Sequence, residues 1–225
     1  MTRWAHISVM ALVLTMAWSC SKDRDIDPSL TDYRYDVVTY LGSTDNGMRQ
    51  QFELVGRGDN PSVILEGIVD IPKGVLPNHR VLLRYDLDDR TSQATRRSIK
   101  AYGCTAIISD SIRYNALPLA RYPRHAVRLR SLWRTGDFVN LHCQVEYTGK
   151  SRLFFLMIDS ATIDADTVQC YLVHDPRTDS TMWWRECYAS FHVGNVWRRP
   201  GCRALRVHIT DVVAPEVPWH DIVKP

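Results

Sequence analysis

Cys20 carries the most defined chemistry in the chain. It follows Ala17-Trp18-Ser19 and closes a segment in which Arg3 supplies positive charge and residues 7–18 are apolar apart from Ser8 and Thr15. As a helix this stretch would reach about 18 Å, well short of the roughly 30 Å hydrocarbon core of a bilayer. It therefore reads as a cleaved signal, residues 1–19, and not as a membrane span. A small residue directly before a cysteine suits a lipoprotein signal peptidase, and the cysteine thiol is the atom that accepts lipid. Ala17 stands where such signals usually carry leucine. Acylation of Cys20 with two or three chains suffices for stable anchoring, so residues 20–34 read as anchor and tether.

Other groups of reactive type are weaker. His174-Asp175 pairs a base with a carboxylate, but adjacent residues seldom orient one another, and no G-x-S-x-G elbow accompanies them. Asp175-Pro176 reads as the start of a bend. His142 and Cys143 are neighbours in an alternating run and point to opposite faces. Asn140, His142, Gln144 and Glu146 form a polar row that reads as the solvated face of an antiparallel sheet. Asp86, Asp88 and Asp89 lack the spacing of a calcium loop. No metal site, cofactor or catalytic residue is expected. A hydrolase would need a cleft that gathers His142, His174 or His208 with acids. Trp183 and Trp184 are the candidate contact residues. In a strand they face opposite ways, so one fills the core and the other is free to stack on a sugar ring or anchor a protein partner.

Five cysteines follow Cys20: Cys104, Cys143, Cys170, Cys187 and Cys202. None shares a C-x-x-C spacing, and an odd number leaves at least one free thiol in an oxidising compartment. Cys143 and Cys170 fall on apolar faces and read as small buried hydrophobes. A Cys187–Cys202 bridge is the alternative for that pair.

The elements that must position these groups are strands. The chain has 225 residues, 45% hydrophobic and 24% charged, with a formal net charge of +3. That balance is ordinary for a globular protein and too weak to imply nucleic acid, despite Arg121, Arg124, Arg128, Arg130 and Arg134. These arginines are expected to pair with carboxylates of the neighbouring domain. Helical periodicity is nearly absent and period-two alternation recurs. Strands are expected at 36–40, 50–55, 63–68, 80–85 and 99–109, then at 126–133, 138–147, 152–158, 167–174, 183–193 and 204–209. Tyr147-Thr148-Gly149-Lys150 reads as the turn of a hairpin joining 138–147 to 152–158. Asn115–Pro118 and Tyr122-Pro123 interrupt the pattern and mark a boundary. The expected class is all-β: an OB-like small barrel over 35–118, a β-sandwich over 119–215, and a tail over 216–225.

Residues 21–27 carry three aspartates. This stretch resembles the acidic export signal that Bacteroides-type bacteria place after a lipidated cysteine. Gly136-Asp137-Phe138-Val139-Asn140-Leu141, Leu153-Phe154-Phe155-Leu156-Met157 and Leu172-Val173-His174-Asp175, with the signal and the two β halves, resemble the NigD-like lipoproteins of those bacteria. The resemblance implies an OB-like domain followed by a β-sandwich and supplies no catalytic residues. The expectation is a non-enzymatic outer-membrane lipoprotein, held by lipid on Cys20. It would be an envelope binding or accessory module for a protein partner, with a bacteriocin-associated role in view. Surface exposure is favoured over a periplasm-facing position. The alternative is a surface glycan-binding module.

Overall fold

The computed structural model describes residues 33–56, 60–88, 95–180 and 182–225; Cys20, the signal, most of the tether and Asp89 lie outside the described residues. Arg34–Pro225 form one compact unit. Its first five strands are β1 (Arg34–Thr44), β2 (Arg49–Leu54), β3 (Val63–Gly67), β4 (Arg80–Leu87) and β5 (Arg96–Ala106). They close a barrel in the order β1-β2-β3-β5-β4. β1 pairs antiparallel with both β2 and β4, and β3 runs parallel to β5. Closure leaves no free edge in this sheet. Alternation fills the interior: Val38, Tyr40, Phe52, Leu65, Val81, Leu83, Tyr85 and Ile99 form one cluster. At Gly67 a Cβ would lie 2.8 Å from Ile99 Cγ1 and 2.9 Å from its carbonyl oxygen, so only glycine lets β3 approach β5 there.

The remaining strands are β6 (Ile108–Ser111), β7 (Arg113–Tyr114), β8 (Arg128–Thr135), β9 (Phe138–Glu146), β10 (Leu153–Ile158), β11 (Thr167–Asp175), β12 (Trp184–His192), β13 (Ala204–His208) and β14 (Trp219–Val223). They build a five-stranded sheet, β14-β13-β11-β10-β7, and a four-stranded sheet, β6-β12-β9-β8. The inner faces meet in one core that joins Val139, Leu141, Cys143 and Phe191 to Leu156, Ile158, Leu172 and Val207. An OB-like barrel followed by a β-sandwich is thus the observed class.

Four elements differ from the sequence reading. First, 138–147 and 152–158 are not a hairpin. β9 is flanked on both sides, by β8 and β12, whereas β10 pairs with β11 and β7 in the other sheet. The intervening residues form an arch between sheets. Phe154–Ile158 are all buried, a continuous apolar run as on a strand covered on both faces, whereas β9 alternates apolar and polar residues. Second, the run 99–109 is two strands, β5 in the barrel and β6 in the sandwich. The second set of sheets thus begins at Ile108, and the boundary expected at 118/119 falls within it. Third, the segment 216–225 holds β14, which pairs Ile222 with Leu205 and Asp221 with Arg206. Prolines hid it: Pro215 and Pro218 precede the strand and Pro225 follows it. Fourth, Cys187 lies on β12 opposite Cys143, while Cys202 precedes β13 in the other sheet and acts electrostatically on Cys170. The Cys187–Cys202 bridge is not formed in this structure, where all five described cysteines are free thiols.

The arch is fastened by Arg152. Its Nη2 donates to the Asp179 carboxylate at 2.6 Å and to the Glu146 carbonyl at 2.7 Å, and its guanidinium lies 4.5 Å from the Tyr147 ring centroid. Asp179 also accepts from the Thr148 amide at 3.2 Å and from the Thr148 hydroxyl. Burial alone would push the Asp179 carboxyl up; the Thr148 and Arg152 hydrogen bonds overcome it and hold the group at about 2. Arg152 Nη1 donates to His174 Nε2 at 2.9 Å. Nε2 must therefore be unprotonated, and Nδ1 donates to the His125 carbonyl at 3.1 Å. His174 is 3% exposed, and burial pushes its pKa down to about 4.

Candidate functional site

The outer face of the four-stranded sheet meets the outer wall of the barrel. Asn140 on β9 and Ser190 on β12 have the parity of solvent-facing residues, yet both are 0% exposed. Arg80 has the outward parity on β4 and is 1% exposed. Its guanidinium explains all three. Nε donates to Ser190 Oγ at 3.2 Å, Nη1 to Thr39 Oγ1 at 2.8 Å and Nη2 to the Val37 carbonyl at 2.8 Å. Ser190 Oγ donates in turn to Asn140 Oδ1 at 2.8 Å, and Asn140 Nδ2 to Thr135 Oγ1 at 2.9 Å. The cation sits 4.4 Å from the centroid of the Phe138 ring. Burial pulls the Arg80 pKa down to about 10, with Glu53 acting in the opposite sense. Arg80 therefore stays charged at neutral pH, and neutral oxygens and a ring face satisfy it. Close approach continues at the β8–β9 turn. Gly136 has φ +52°, and a Cβ there would lie 2.7 Å from Val55 Cγ1 of the barrel.

Beyond this junction the two halves diverge and leave a cleft of about 690 Å³. Tyr35 and Tyr85 come from the barrel side, Trp133, His142 and Tyr188 from the sheet, and Arg97 adds a cationic group. The volume falls within the roughly 300–1,000 Å³ usual for ligand sites. His142 stacks on Tyr188 with centroids 4.1 Å apart and planes 9° apart. His142 Nε2 donates to Glu186 Oε2 at 2.6 Å. Gln144 Nε2 donates to Glu186 Oε1 at 2.6 Å and Arg130 Nη2 to Gln144 Oε1 at 2.9 Å. Glu186 is pushed up by burial and held down more strongly by the Gln144 and His142 bonds. Burial, then Glu186 and Tyr35, push the Tyr188 phenol up. Among the described residues, Arg97 Nε is buried with no hydrogen-bond partner. The site thus presents aromatic walls, the His142 ring held by Glu186, and the Arg97 cation. It can bind a chain that carries both apolar and carbonyl or carboxylate groups.

The row Asn140, His142, Gln144 and Glu146 is therefore only partly a solvated face. Its Asn140 end is the seat of the barrel, and His142 lines the cleft. Signals for this were absent, because parity alone cannot say that a second domain covers an outer face.

Trp183 and Trp184 do not divide as expected. Trp184 has the outer parity of Glu186 and Tyr188, and Arg128 covers it with the guanidinium 4.0 Å from the ring centroid. Trp183 precedes β12 and is 57% exposed. Neither enters the core. Three of the five arginines expected to meet carboxylates of the neighbouring domain lie over rings instead, Arg124 on Tyr171, Arg128 on Trp184 and Arg134 on Trp197, while Arg130 donates to Gln144. The side chains of His142, His174 and His208 are engaged separately. His142 bonds Glu186, His174 bonds Arg152, and His208 bonds Gln169 Oε1 at 2.7 Å in the sheet that does not carry His142. Among the described residues no cluster of three or more His, Cys, Asp or Glu side chains is placed to hold a metal ion. No described helix is long and apolar enough to cross a membrane.

No family model matches the sequence, and no curated protein matches it. Solved structures do match in fold. A protein of unknown function from Bacteroides vulgatus superposes with a TM-score of 0.63 at 12% identity, covering 85% of this chain and 90% of its own. A NigD-like immunity protein from Bacteroides caccae superposes with a TM-score of 0.59 at 16% identity, covering 85% of this chain and 97% of its own. A candidate lipoprotein from Bacteroides fragilis superposes with a TM-score of 0.55 at 10% identity, covering 85% and 96%. The resemblance read from the sequence thus holds at the level of fold: the chain shares the barrel-and-sandwich architecture of a NigD-like immunity protein and of candidate lipoproteins from Bacteroidales.

Proposed function

We propose that this chain is a non-catalytic envelope lipoprotein, anchored to the outer membrane through lipid on Cys20, that binds a protein partner in the cleft between its barrel and its sandwich. The observation that carries the binding role is that cleft: Tyr35, Trp133 and Tyr188 wall it, and Arg97 lines it with a cationic side chain. An immunity-type or accessory role is a binding role, and the fold shared with a NigD-like immunity protein supports it. The anchor rests on the signal-like segment that ends at Cys20 and on the fold shared with a candidate lipoprotein. The acidic residues after Cys20 favour display at the cell surface.

Fractionation of cells that express wild type and Cys20→Ala tests the anchor. Wild type is expected in the outer membrane and labelled on intact cells by a membrane-impermeant amine reagent; the variant is expected to be soluble. A variant that stays membrane-bound overturns the anchor, and unlabelled wild type places the domains on the periplasmic side.

A glycan-binding reading has one observation in its favour, the exposed Trp183 ring. Trp183→Ala is expected to change stability by under about 0.5 kcal/mol. If glycan binding is the function, it abolishes retention on envelope polysaccharide in affinity electrophoresis. Equal mobility of wild type and variant in every polysaccharide gel counts against this reading.

A further inference from the structure

Cys143 and Cys187 face each other in register on neighbouring antiparallel strands. The Tyr147 amide donates to the Trp183 carbonyl directly opposite at 2.9 Å, which makes that pair, and every second pair along the ladder, a hydrogen-bonded one. Cys143 and Cys187 fall on that parity. Their Cα atoms are then about 5.5 Å apart, within the range of roughly 4.4–6.8 Å that a disulfide spans. Each thiol acts on the other as a close neighbour, Cys187 being held below and Cys143 pushed above the ordinary thiol value.

Access is asymmetric. Cys143 is buried in the sandwich core. Cys187 is half-buried, because β6 pairs only with Ala189–His192 and leaves the edge of β12 uncovered from Tyr188 back to Trp184. Cys187 lines an open groove of about 530 Å³ together with Lys150, Arg152 and Glu186. Arg152 favours a thiolate there and Glu186 opposes it.

We propose that Cys143 and Cys187 form a reversible cross-strand disulfide, entered through Cys187 from the groove, with a low-molecular-weight or protein disulfide as oxidant. The Cys187 thiolate attacks one sulfur of the oxidant. A mixed disulfide forms on Cys187, and the other half of the oxidant leaves as thiolate and takes up a proton. Cys143 then loses its proton and attacks the Cys187 sulfur, which closes the intrachain bond and releases the second thiolate. The protein loses two hydrogens, and one oxidant disulfide becomes two thiols. Hydrogen-bonded cross-strand pairs hold their Cβ atoms towards the wide end of about 4.5–5.5 Å, whereas a disulfide draws them to about 3.8 Å. The bond therefore strains the ladder, and strained disulfides are the readily reduced ones.

Peptide mapping of the wild-type protein, exposed to glutathione disulfide and then quenched by alkylation, tests this. The expected product is a peptide pair linked through Cys143 and Cys187, two hydrogens lighter than the separate peptides and released by reduced glutathione. Cys143→Ser is expected to lose the linked pair completely and to retain glutathione on Cys187. Cys187→Ser is expected to lose both the linkage and the adduct. Wild type in which Cys143 and Cys187 remain fully alkylatable overturns the proposal, and so does a linkage confined to Cys170 and Cys202. The wild-type map decides the question even if a serine variant misfolds.

Discussion

Arg80→Met is expected to lower the unfolding free energy by about 4 kcal/mol, read from urea or guanidinium denaturation. Three side-chain hydrogen bonds from a cation disappear, at about 1.5–3 kcal/mol each. The cost of burying the guanidinium is recovered, which offsets part of that sum. The acceptors left behind, Ser190 Oγ, Thr39 Oγ1 and the Val37 carbonyl, sit where water cannot easily replace the donor. Native stabilities of about 5–15 kcal/mol make such a loss large. The variant should also change behaviour, not only midpoint. Arg80 joins barrel to sandwich, so the two halves are expected to unfold in separate transitions once it is gone. Arg96→Ala, which removes an exposed pair with Glu66, is the control and should cost under about 1 kcal/mol. An Arg80 variant as mild as that control would show that the barrel is held by shape alone.

Stability should fall as pH drops from about 6.5 to about 4, with His174 the largest contributor and His208, also lowered by burial, acting in the same direction. In the folded chain the His174 pKa is pushed down to about 4, first by burial and then by Arg152; unfolded, it titrates near 6.5. Within that window the unfolded chain binds the extra proton, so unfolding becomes easier as acid is added. Below about 4 both states are protonated and this contribution is fully lost. The effect amounts to about 2 kcal/mol after allowance for partial hydration. Protonation at Nε2 would set an N–H against the Arg152 donor, which explains the resistance. His174→Gln is expected to flatten stability between pH 6.5 and pH 4 in denaturation curves. A variant as acid-sensitive as wild type would assign the effect elsewhere. A further loss, as pH falls from about 3.8 through about 2, belongs to Asp179, whose folded pKa is depressed.

The strands were legible because alternation is a local property. Val81, Leu83 and Tyr85 of β4 alternate cleanly, as do Val139, Leu141, Cys143 and Val145 of β9. Each set lands on the inner face that its parity requires. The cleft was illegible for the same reason. Arg80, Asn140 and Ser190 carry outward parity, and only the docking of two sheets in space buries them. Which strand pairs with which is also non-local. Tyr147-Thr148-Gly149-Lys150 has the composition of a hairpin turn, yet Asp179, far along the chain, binds both Thr148 and Arg152 and holds the segment as an arch. The aromatic pair misled in a different way. Trp184 looked like core or free ring, and Arg128 supplies a third option by stacking on it. In the same way Arg124, Arg128 and Arg134, read as partners for carboxylates, lie over rings, which a composition count cannot reveal.

The most direct test of the account is photocrosslinking in living cells, with a photoreactive residue placed at Tyr35 or Trp133 in the cleft and at exposed Leu76 as control. The account predicts one discrete envelope-protein adduct from both cleft positions, none from Leu76, and loss of that adduct when Arg97 is changed to Met. Adducts that form equally at Leu76, or persist unchanged in Arg97→Met, would contradict a partner seated in the cleft.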